Sequence, residues 1–208
     1  MHPSSPSSQL TIRDAVPADI EAVSALLMSA YAELGASFPW PELWDDYLED
    51  LTDVAGRWSR SRVVVVERDG HVVATADYHP VPRRIPAQRP CLEWIEPPWR
   101  HVMTFPGGWA AVRCVGTDPA RRREGNGRAL VERLITLARQ DRAIHVFLHS
   151  LPIMAAAMAM YEDAGFHRLP ERDLPLRGGR PDRLLAFIRP LERGRVSGQV
   201  TARPPGAR

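Results

Sequence analysis

Apolar positions recur along the chain with two different periods, and these periods predict a mixture of strands and helices. The stretch "QLTIRDA" alternates like a short strand, and the residues from Pro17 to Gly35 place apolar side chains at helical spacing. A second helix is predicted from Pro41 to Val54. The stretch "RVVVVERDGHVVATADY" then predicts two antiparallel strands around the Asp69-Gly70 turn.

The same two periods continue in the second half of the chain. "WAAVRCVGT" predicts a strand and "RALVERLITLARQ" a helix with one apolar stripe. "AIHVFLHS" predicts a strand on which His145 and His149 share a face with Phe147. "PIMAAAMAMYEDAG" predicts a helix that begins near Ser150 and Pro152 and ends at Gly165, and "RLLAFIRPL" predicts a last strand. Strands interleaved with helices predict an α/β (α+β) fold.

Three stretches lack such periodicity. Residues 1–8 are Ser/Pro-rich, and residues 191–208 have little to bury, so both are predicted to be disordered tails. Residues 79–108 are rich in proline and contain two tryptophans, which predicts an irregular insertion. A loop of this length inside a domain is typical of a lid or a subunit contact. The predicted domain therefore spans residues 9–190, with a lid or a homodimer contact at 79–108.

Composition narrows the class of protein. The 208 residues are 44% hydrophobic and 25% charged, as in ordinary globular proteins. The net charge of +2 lacks the strongly basic balance of a nucleic-acid binder, so no nucleic-acid partner is expected. The chain contains no lysine, which excludes a lysine nucleophile or Schiff base.

Cysteine usage and hydropathy bear on location. Cys91 and Cys114 match no metal-binding spacing, and a reducing, cytoplasmic setting is the simplest interpretation. The N-terminal stretch "MHPSSPSSQL" does not resemble a signal peptide, and no apolar run is long enough to span a bilayer. Neither a membrane partner nor a metal is expected.

The stretch "VGTDPARRREGNGRAL" carries the strongest chemical signal. A strand, a glycine-bearing loop and a helix start form an anion site, because the first amides of a helix have no intrahelical acceptor. Gly125 and Gly127 allow the backbone to approach a phosphate closely. Arginines supply forked, permanently charged donors at positions 121, 122, 123 and 128.

Other interpretations of this loop stay open on physical grounds. The two glycines alone are consistent with an ordinary turn and the arginines with a solvated face. The third glycine of a dinucleotide fingerprint and the Gly-Lys-Ser/Thr of a nucleotide P-loop are both absent. Nucleic-acid binding through Arg121 to Arg123 would show as a steep salt dependence of affinity.

Two motifs resemble those of a known family. Pro119, Arg122, Gly125 and Gly127 are spaced as in motif A of the GNAT superfamily of N-acetyltransferases, Arg/Gln-x-x-Gly-x-Gly/Ala. The stretch "AMAMYEDAGFHR" resembles the later motif of the same superfamily. The resemblance extends over roughly residues 9–190 and implies a mixed, V-shaped central sheet flanked by helices.

The resemblance also implies acetyl-CoA as co-substrate. We expect a β-bulge at Gly116 to free backbone groups of Val115 and Thr117 for the pantetheine arm. The backbone from Arg122 to Arg128 would hold the pyrophosphate. The cofactor-binding residues implied are therefore Val115, Gly116, Thr117, Arg122, Arg123, Glu124, Gly125, Asn126, Gly127 and Arg128. Met154 replaces an asparagine that many members use to contact the pantetheine arm.

Acetyl transfer needs an acid for the thiolate, a donor to the carbonyl oxygen and a base for the amine. Tyr161 matches the tyrosine that faces the coenzyme sulfur in many members, and an amide near Val115 would contact the oxygen. Ala111 stands where an acidic residue often lies, so direct base catalysis from that strand is not expected. Glu96 or Glu93 in the insertion could act instead, as could a water relay through His145 and His149.

These patterns predict an acetyl-CoA-dependent N-acetyltransferase. The acetyl group would pass directly to an amine of a small molecule or peptide, because neither cysteine lies near an activating motif. The alternative is a catalytically inactive GNAT-like module that binds acetyl-CoA. The alanine at position 111 favours that alternative, and Tyr161 opposes it.

Overall fold

The computed structural model describes residues 10–58, 61–80, 108–176 and 181–191. Three predicted stretches lie almost wholly outside these ranges: the tail at residues 1–8, the insertion at 79–108, and the tail at 191–208. Leu191 is the exception in the last of these, because it is described and buried. The described chain forms an eight-stranded sheet. Helices cover both faces of this sheet.

The strands are β1 Leu10–Asp14, β2 Arg62–Arg68, β3 His71–His79, β4 Trp109–Thr117, β5 His145–Ser150, β6 His167–Arg168, β7 Leu174–Pro175 and β8 Arg183–Pro190. Their order in the sheet is β1-β2-β3-β4-β5-β8-β6, with β7 paired to β8. The helices are α1 Ile20–Gly35, α2 Pro41–Thr52, α3 Val54–Arg57, α4 Asn126–Gln140 and α5 Ala155–Asp163. No helix within the described ranges is both long and apolar enough to cross a bilayer.

Most predicted elements are confirmed, and the fold class is confirmed as a mixed α/β sheet flanked by helices. The hairpin turn is at Asp69 and Gly70, both with positive φ, as a two-residue turn of this type requires. The last helix begins at Ala155 and not near Ser150, because Ser150 is still paired to Leu185 in β8. The strands β6 and β7 were not predicted, since two residues are too few to show a period.

The two faces of the sheet bury separate cores. One face packs against α1, α2 and α3. The largest fully buried side chains of this core include Leu27 of α1 and Leu51 of α2. The other face packs against α4 and α5, where the predicted apolar stripe of α4 is buried through Leu130 and Leu134. The described end of the chain, Leu191, is buried in this second core.

The sheet opens between its two central strands. Strands β4 and β5 run parallel but pair only over Trp109–Ala111 and His145–Phe147. Beyond these residues β4 continues along β3, and β5 continues along β8. The two halves of the sheet thus separate at the carboxyl ends of β4 and β5, which gives the V shape that the resemblance implied.

A buried ion pair connects α3 to the sheet near this opening. Arg57 donates from Nε to Asp77 Oδ2 at 2.7 Å, and only 4% and 1% of these side chains are exposed. Arg57 also donates to the backbone carbonyl of Asp50, and Ser61 Oγ contacts the same carboxylate oxygen of Asp77 at 3.3 Å. A pair buried this completely is costly to break, because the remaining charge has no solvent to stabilise it.

We predict that Asp77→Asn lowers the free energy of unfolding by about 3 kcal/mol, since Arg57 then keeps its charge in a buried site. Urea denaturation at neutral pH measures the change. The control is Glu132→Gln, which removes a pair with Arg128 whose side chains are 67% and 60% exposed. That control should change stability by less than about 0.5 kcal/mol. Equal losses in both variants would contradict the buried-pair argument.

Candidate functional site

A groove of about 640 Å³ occupies the opening between the two halves of the sheet. Its walls come from the end of β4, the loop before α4, the start of α5 and one side of α1. All of the sequence-predicted cofactor residues except Glu124 line it: Val115, Gly116, Thr117, Arg122, Arg123, Gly125, Asn126, Gly127 and Arg128. Met154, where an asparagine was expected, lines it as well.

The amino end of α4 presents unpaired amides to this groove. Gly125 precedes the helix with φ 80°, a left-handed conformation that glycine adopts without strain. None of the backbone amides from Arg122 to Arg128 donates a hydrogen bond to the described part of the chain. The amides and the helix dipole together make this end of α4 suitable for an anion such as a pyrophosphate.

Glu124 and Asn126 stabilise the loop from behind. Glu124 contacts the guanidinium groups of Arg121 and Arg68, at 3.3 and 3.6 Å. The buried side chain of Asn126 donates from Nδ2 to the carbonyl of Arg121 and accepts at Oδ1 from Arg68 Nη2, each at 3.0 Å. The side chain of Asn126 therefore connects the loop to the end of β2.

The three consecutive arginines have different environments. Arg121 is paired with Glu124 and does not line the groove. Arg122 is paired with Glu33 of α1 at 2.7 Å and donates to the carbonyl of Ala30 at 3.2 Å. Arg123 lines the groove and forms no ion pair with any described residue. Of the three, Arg123 is the cation best placed to meet an anionic ligand.

The bulge in β4 lies at Cys114 and Val115, and the expectation of a bulge at Gly116 is wrong. Gly116 pairs with Thr75 and Arg113 pairs with Asp77, so two β4 residues lie opposite Ala76 alone. Cys114 has φ 50°, which accommodates the extra residue. Burial raises the pKa of its thiol to about 12, so Cys114 is an unreactive thiol in this position.

Gly116 has a different role, which is to let α1 approach the sheet. A Cβ atom at this position would lie 2.9 Å from Leu27 Cδ2 and 3.2 Å from Leu26 Cδ2. The approach brings Tyr31 of α1 to the bulge, where its hydroxyl donates to the carbonyl of Val115 at 2.9 Å. Nothing in the helical pattern of α1 distinguished Tyr31 from its neighbours, so sequence reasoning missed this contact.

A second, smaller cavity of about 60 Å³ lies where β4 and β5 separate. It shares four lining residues with the groove: Tyr31, Val115, Met154 and Ala157. Tyr161 and His149 also line it, from α5 and β5. The cavity therefore adjoins the groove at the opening of the sheet.

Tyr161 is held in this cavity by aromatic packing. Its ring centroid lies 5.9 Å from that of Phe166 and 6.3 Å from that of Phe187. Its hydroxyl forms no hydrogen bond with any described residue, and burial raises the pKa of the phenol well above its ordinary value. Tyr161 is therefore a protonated hydrogen-bond donor that is available to a group in the cavity.

His149 lies across the sheet from Tyr161, on the strand face predicted from the sequence. Its Nε2 is 3.0 Å from the carbonyl of Arg172, and since a carbonyl only accepts, Nε2 carries the proton. Burial lowers the pKa of the ring to about 4, aided by the charges of Arg113 and Arg168 and opposed by the Arg172 carbonyl and Asp173. His149 is thus neutral at physiological pH.

The base that acetyl transfer requires is not identified by the described residues. Ala111 is buried and paired with Phe147, so β4 carries no acidic side chain there. Glu93 and Glu96 lie outside the described ranges. Within those ranges, no group of three His, Cys, Asp or Glu side chains could hold a metal ion.

A family model covers most of the elements that form the groove. The model of the acetyltransferase (GNAT) family matches residues 21–166, which include β4, the loop before α4, and Tyr161. Among curated proteins, no sequence matches this chain.

Solved structures share the fold. The PaiA N-acetyltransferase from Thermoplasma acidophilum, in complex with coenzyme A, has a TM-score of 0.63 and 9% identity over 88% of this chain and 99% of its own. The ribosomal-protein-S18-alanine N-acetyltransferase from Escherichia coli has a TM-score of 0.57 and 22% identity over 88% and 94%. YncA from Salmonella typhimurium, a putative acetyltransferase solved with acetyl-CoA, has a TM-score of 0.55 and 22% identity over 88% and 94%.

The lowered pKa of His149 predicts a pH-dependent stability. The folded state binds fewer protons than the unfolded state between the folded pKa of about 4 and the ordinary value of about 6.5, so stability falls as the pH falls through that window. His149→Gln keeps a donor near the Arg172 carbonyl but does not titrate. Between pH 7 and pH 5, the free energy of unfolding of the wild type should fall by about 1–2 kcal/mol more than that of this variant.

Urea denaturation at the two pH values measures the difference. The control is His71→Gln, because His71 is exposed at the hairpin turn in the folded protein. This control should follow the wild-type pH dependence. Parallel stability curves for wild type and His149→Gln would show that the ring is not buried in its neutral form.

Proposed function

This chain belongs to the acetyltransferase (GNAT) family, and from that premise we propose that it is an acetyl-CoA-dependent N-acetyltransferase that acts by direct transfer to an amine. The observation that carries this proposal is the groove, which is lined by Arg123 and by residues at the start of α4 whose amides have no partner among the described residues. That groove adjoins the small cavity where Tyr161 has a free hydroxyl. The proposed anion site and the proposed proton donor therefore line two adjoining cavities.

The groove residues fit coenzyme A in chemistry. The amides from Arg122 to Arg128 would bind the pyrophosphate, and Arg123 would add a charge-assisted hydrogen bond. The pantetheine arm would lie along the opened edge of β4, at Val115 to Thr117, where it can pair with the backbone as a peptide pairs with a sheet edge. Met154 would contribute an apolar contact in place of a hydrogen bond.

The proposed chemistry uses groups around the small cavity. The amine attacks the thioester carbonyl, and a backbone amide near Val115 stabilises the charge that develops on its oxygen. Tyr161 then donates to the departing thiolate sulfur. Because burial raises the pKa of this phenol, it acts mainly through a hydrogen bond and gives up its proton only as the sulfur gains charge. Glu96 is retained as the proposed base for the amine.

A catalytically inactive acetyl-CoA-binding module is the second candidate. It is favoured by Ala111, which leaves β4 without an acidic side chain at the place where many members carry one. Tyr161 opposes it, because the hydroxyl of this packed ring has no partner among the described residues and the ring lines the cavity that adjoins the groove. Measured acetyl transfer to any amine would exclude this candidate.

The acceptor is proposed only as a class, an amine of a small molecule or a peptide. One structural neighbour is named as a ribosomal-protein-S18-alanine N-acetyltransferase. The screen for acceptors should therefore include peptides with N-terminal alanine. Polyamines, amino acids and aminoglycosides complete the panel. Release of free thiol from acetyl-CoA gives a readout that is independent of the acceptor.

The remaining proposals concern the whole chain. Residues 9–190 form the acetyltransferase domain, and residues 79–108 form a lid or a homodimer contact. The protein would act in the cytoplasm, where acetyl-CoA is available to it.

We predict that the purified protein binds CoA and acetyl-CoA saturably in titration calorimetry. Arg123→Gln should weaken CoA binding about five- to tenfold, because one charge-assisted hydrogen bond to the pyrophosphate is lost. The control is Arg139→Gln, which removes the same charge from the exposed far end of α4. Absence of saturable binding to the wild type would overturn the proposed function.

We predict that Tyr161→Phe lowers kcat at least tenfold with the best amine of the screen, and leaves the affinity for CoA within about twofold. The phenylalanine keeps the packing against Phe166 and Phe187 and removes only the hydroxyl. Free-thiol release measures kcat and calorimetry measures affinity. Unchanged turnover would remove Tyr161 from the acid role.

A further inference from the structure

One buried hydroxyl beside the small cavity has no structural explanation. Ser150 is the last residue of β5, pairs in register with Leu185 of β8, and is only 4% exposed. Its Oγ is buried and forms no hydrogen bond with any described residue. Buried polar side chains nearly always have a partner, so an unpaired hydroxyl points to a group that binds there.

The position of Ser150 identifies where that group would lie. Ser150 lines the small cavity together with Tyr161, whose hydroxyl also lacks a partner among the described residues. Alternation along β5 places Ser150 on the same face as Leu148, which packs in the core beside α4 and α5. Two unpaired hydroxyls therefore border one cavity from the same side of the sheet.

The size of the cavity limits the group that can occupy it. Its volume of about 60 Å³ is several times the roughly 10–15 Å³ that a single water needs. An acetyl group fits this space, and the cavity adjoins the groove in which the proposed function places the pantetheine arm. Apolar side chains such as Val112, Leu148 and Leu151 form much of the remaining wall.

We propose that Ser150 donates a hydrogen bond from its hydroxyl to the acetyl carbonyl oxygen of acetyl-CoA, and so positions the thioester in the cavity beside Tyr161. This inference rests on the proposed function, since it requires acetyl-CoA in the adjoining groove. It assigns separate tasks to the two hydroxyls. Tyr161 donates a hydrogen bond to the sulfur, which CoA and acetyl-CoA share. Ser150 donates one to the acetyl oxygen, which CoA lacks.

Ser150 acts in this arrangement as a donor and not as a nucleophile. No described group accepts a hydrogen bond from its Oγ, so no described base is placed to remove its proton. The hydroxyl therefore keeps its hydrogen throughout, and no bond to Ser150 forms or breaks. The hydrogen bond from Ser150 to the carbonyl oxygen becomes stronger as negative charge develops on that oxygen.

The test compares the affinities for acetyl-CoA and CoA by titration calorimetry. Ser150→Ala should weaken acetyl-CoA binding about five- to tenfold and leave CoA binding within about twofold, because only the acetylated form has the oxygen. Ser150→Cys, of nearly the same shape with a weaker donor, should give an intermediate loss. Its inclusion keeps the test valid if the alanine variant fails to fold.

A thermal readout separates this role from a structural one. Ser150→Ala should not lower the Tm, because no hydrogen bond is lost in the free protein. The matched control is Ser24→Ala in α1, whose hydroxyl donates to the carbonyl of Thr52 at 2.8 Å. This control should lower the Tm and leave the ratio of the two affinities unchanged.

The outcomes distinguish the inference from the function on which it rests. If the wild type binds neither CoA nor acetyl-CoA, the proposed function fails. If the wild type binds both and Ser150→Ala changes both affinities equally or neither, only the role of Ser150 is overturned. A fall in Tm equal to that of Ser24→Ala would likewise overturn it, because it would show that Ser150 bonds to a structural partner such as a buried water.

Discussion

The site depends on one constraint, which is that two neighbouring parallel strands stop hydrogen bonding after a short stretch. Strands β4 and β5 pair only over Trp109–Ala111 and His145–Phe147. Backbone groups beyond that point cannot stay buried without partners, so the opening must admit solvent or a ligand. The bulge at Cys114 and Val115 adds to the opening, and Tyr31 satisfies one of the carbonyls exposed there.

Charge around the opening is distributed so that most arginines are already paired. Arg121 and Arg122 have carboxylate partners, and they connect the loop before α4 to its surroundings. The loop is therefore ordered before any anion arrives, and this preorganisation lowers the entropy lost on binding. Arg123 and the helix amides are left for the ligand. The same run of arginines thus provides both the support of the loop and its charge.

Buried polar groups near the opening fall into two kinds. Arg57 Nε and Asp77 Oδ2 pair with each other, and removing either partner would leave a buried charge. Ser150 and Tyr161 have hydroxyls without partners among the described residues, which lowers stability in the absence of a ligand. His149 is intermediate, with one ring nitrogen bonded to a carbonyl and a pKa that keeps it neutral. Unsatisfied groups that gather at one cavity are typical of a functional site.

The sequence by itself determined most of the strands and helices, the hairpin turn and the glycine-bearing loop before α4, because periodicity and turn chemistry depend on residues close together in the chain. Only the tertiary structure decided which of the three consecutive arginines is left without a carboxylate partner, since Arg122 is paired with Glu33, 89 residues away. It also placed the bulge at Cys114 and Val115, and it gave Gly116 the different role of allowing the close approach of α1. Ser150 gave no signal in the sequence, since a missing hydrogen-bond partner can be recognised only once the chain has folded around it.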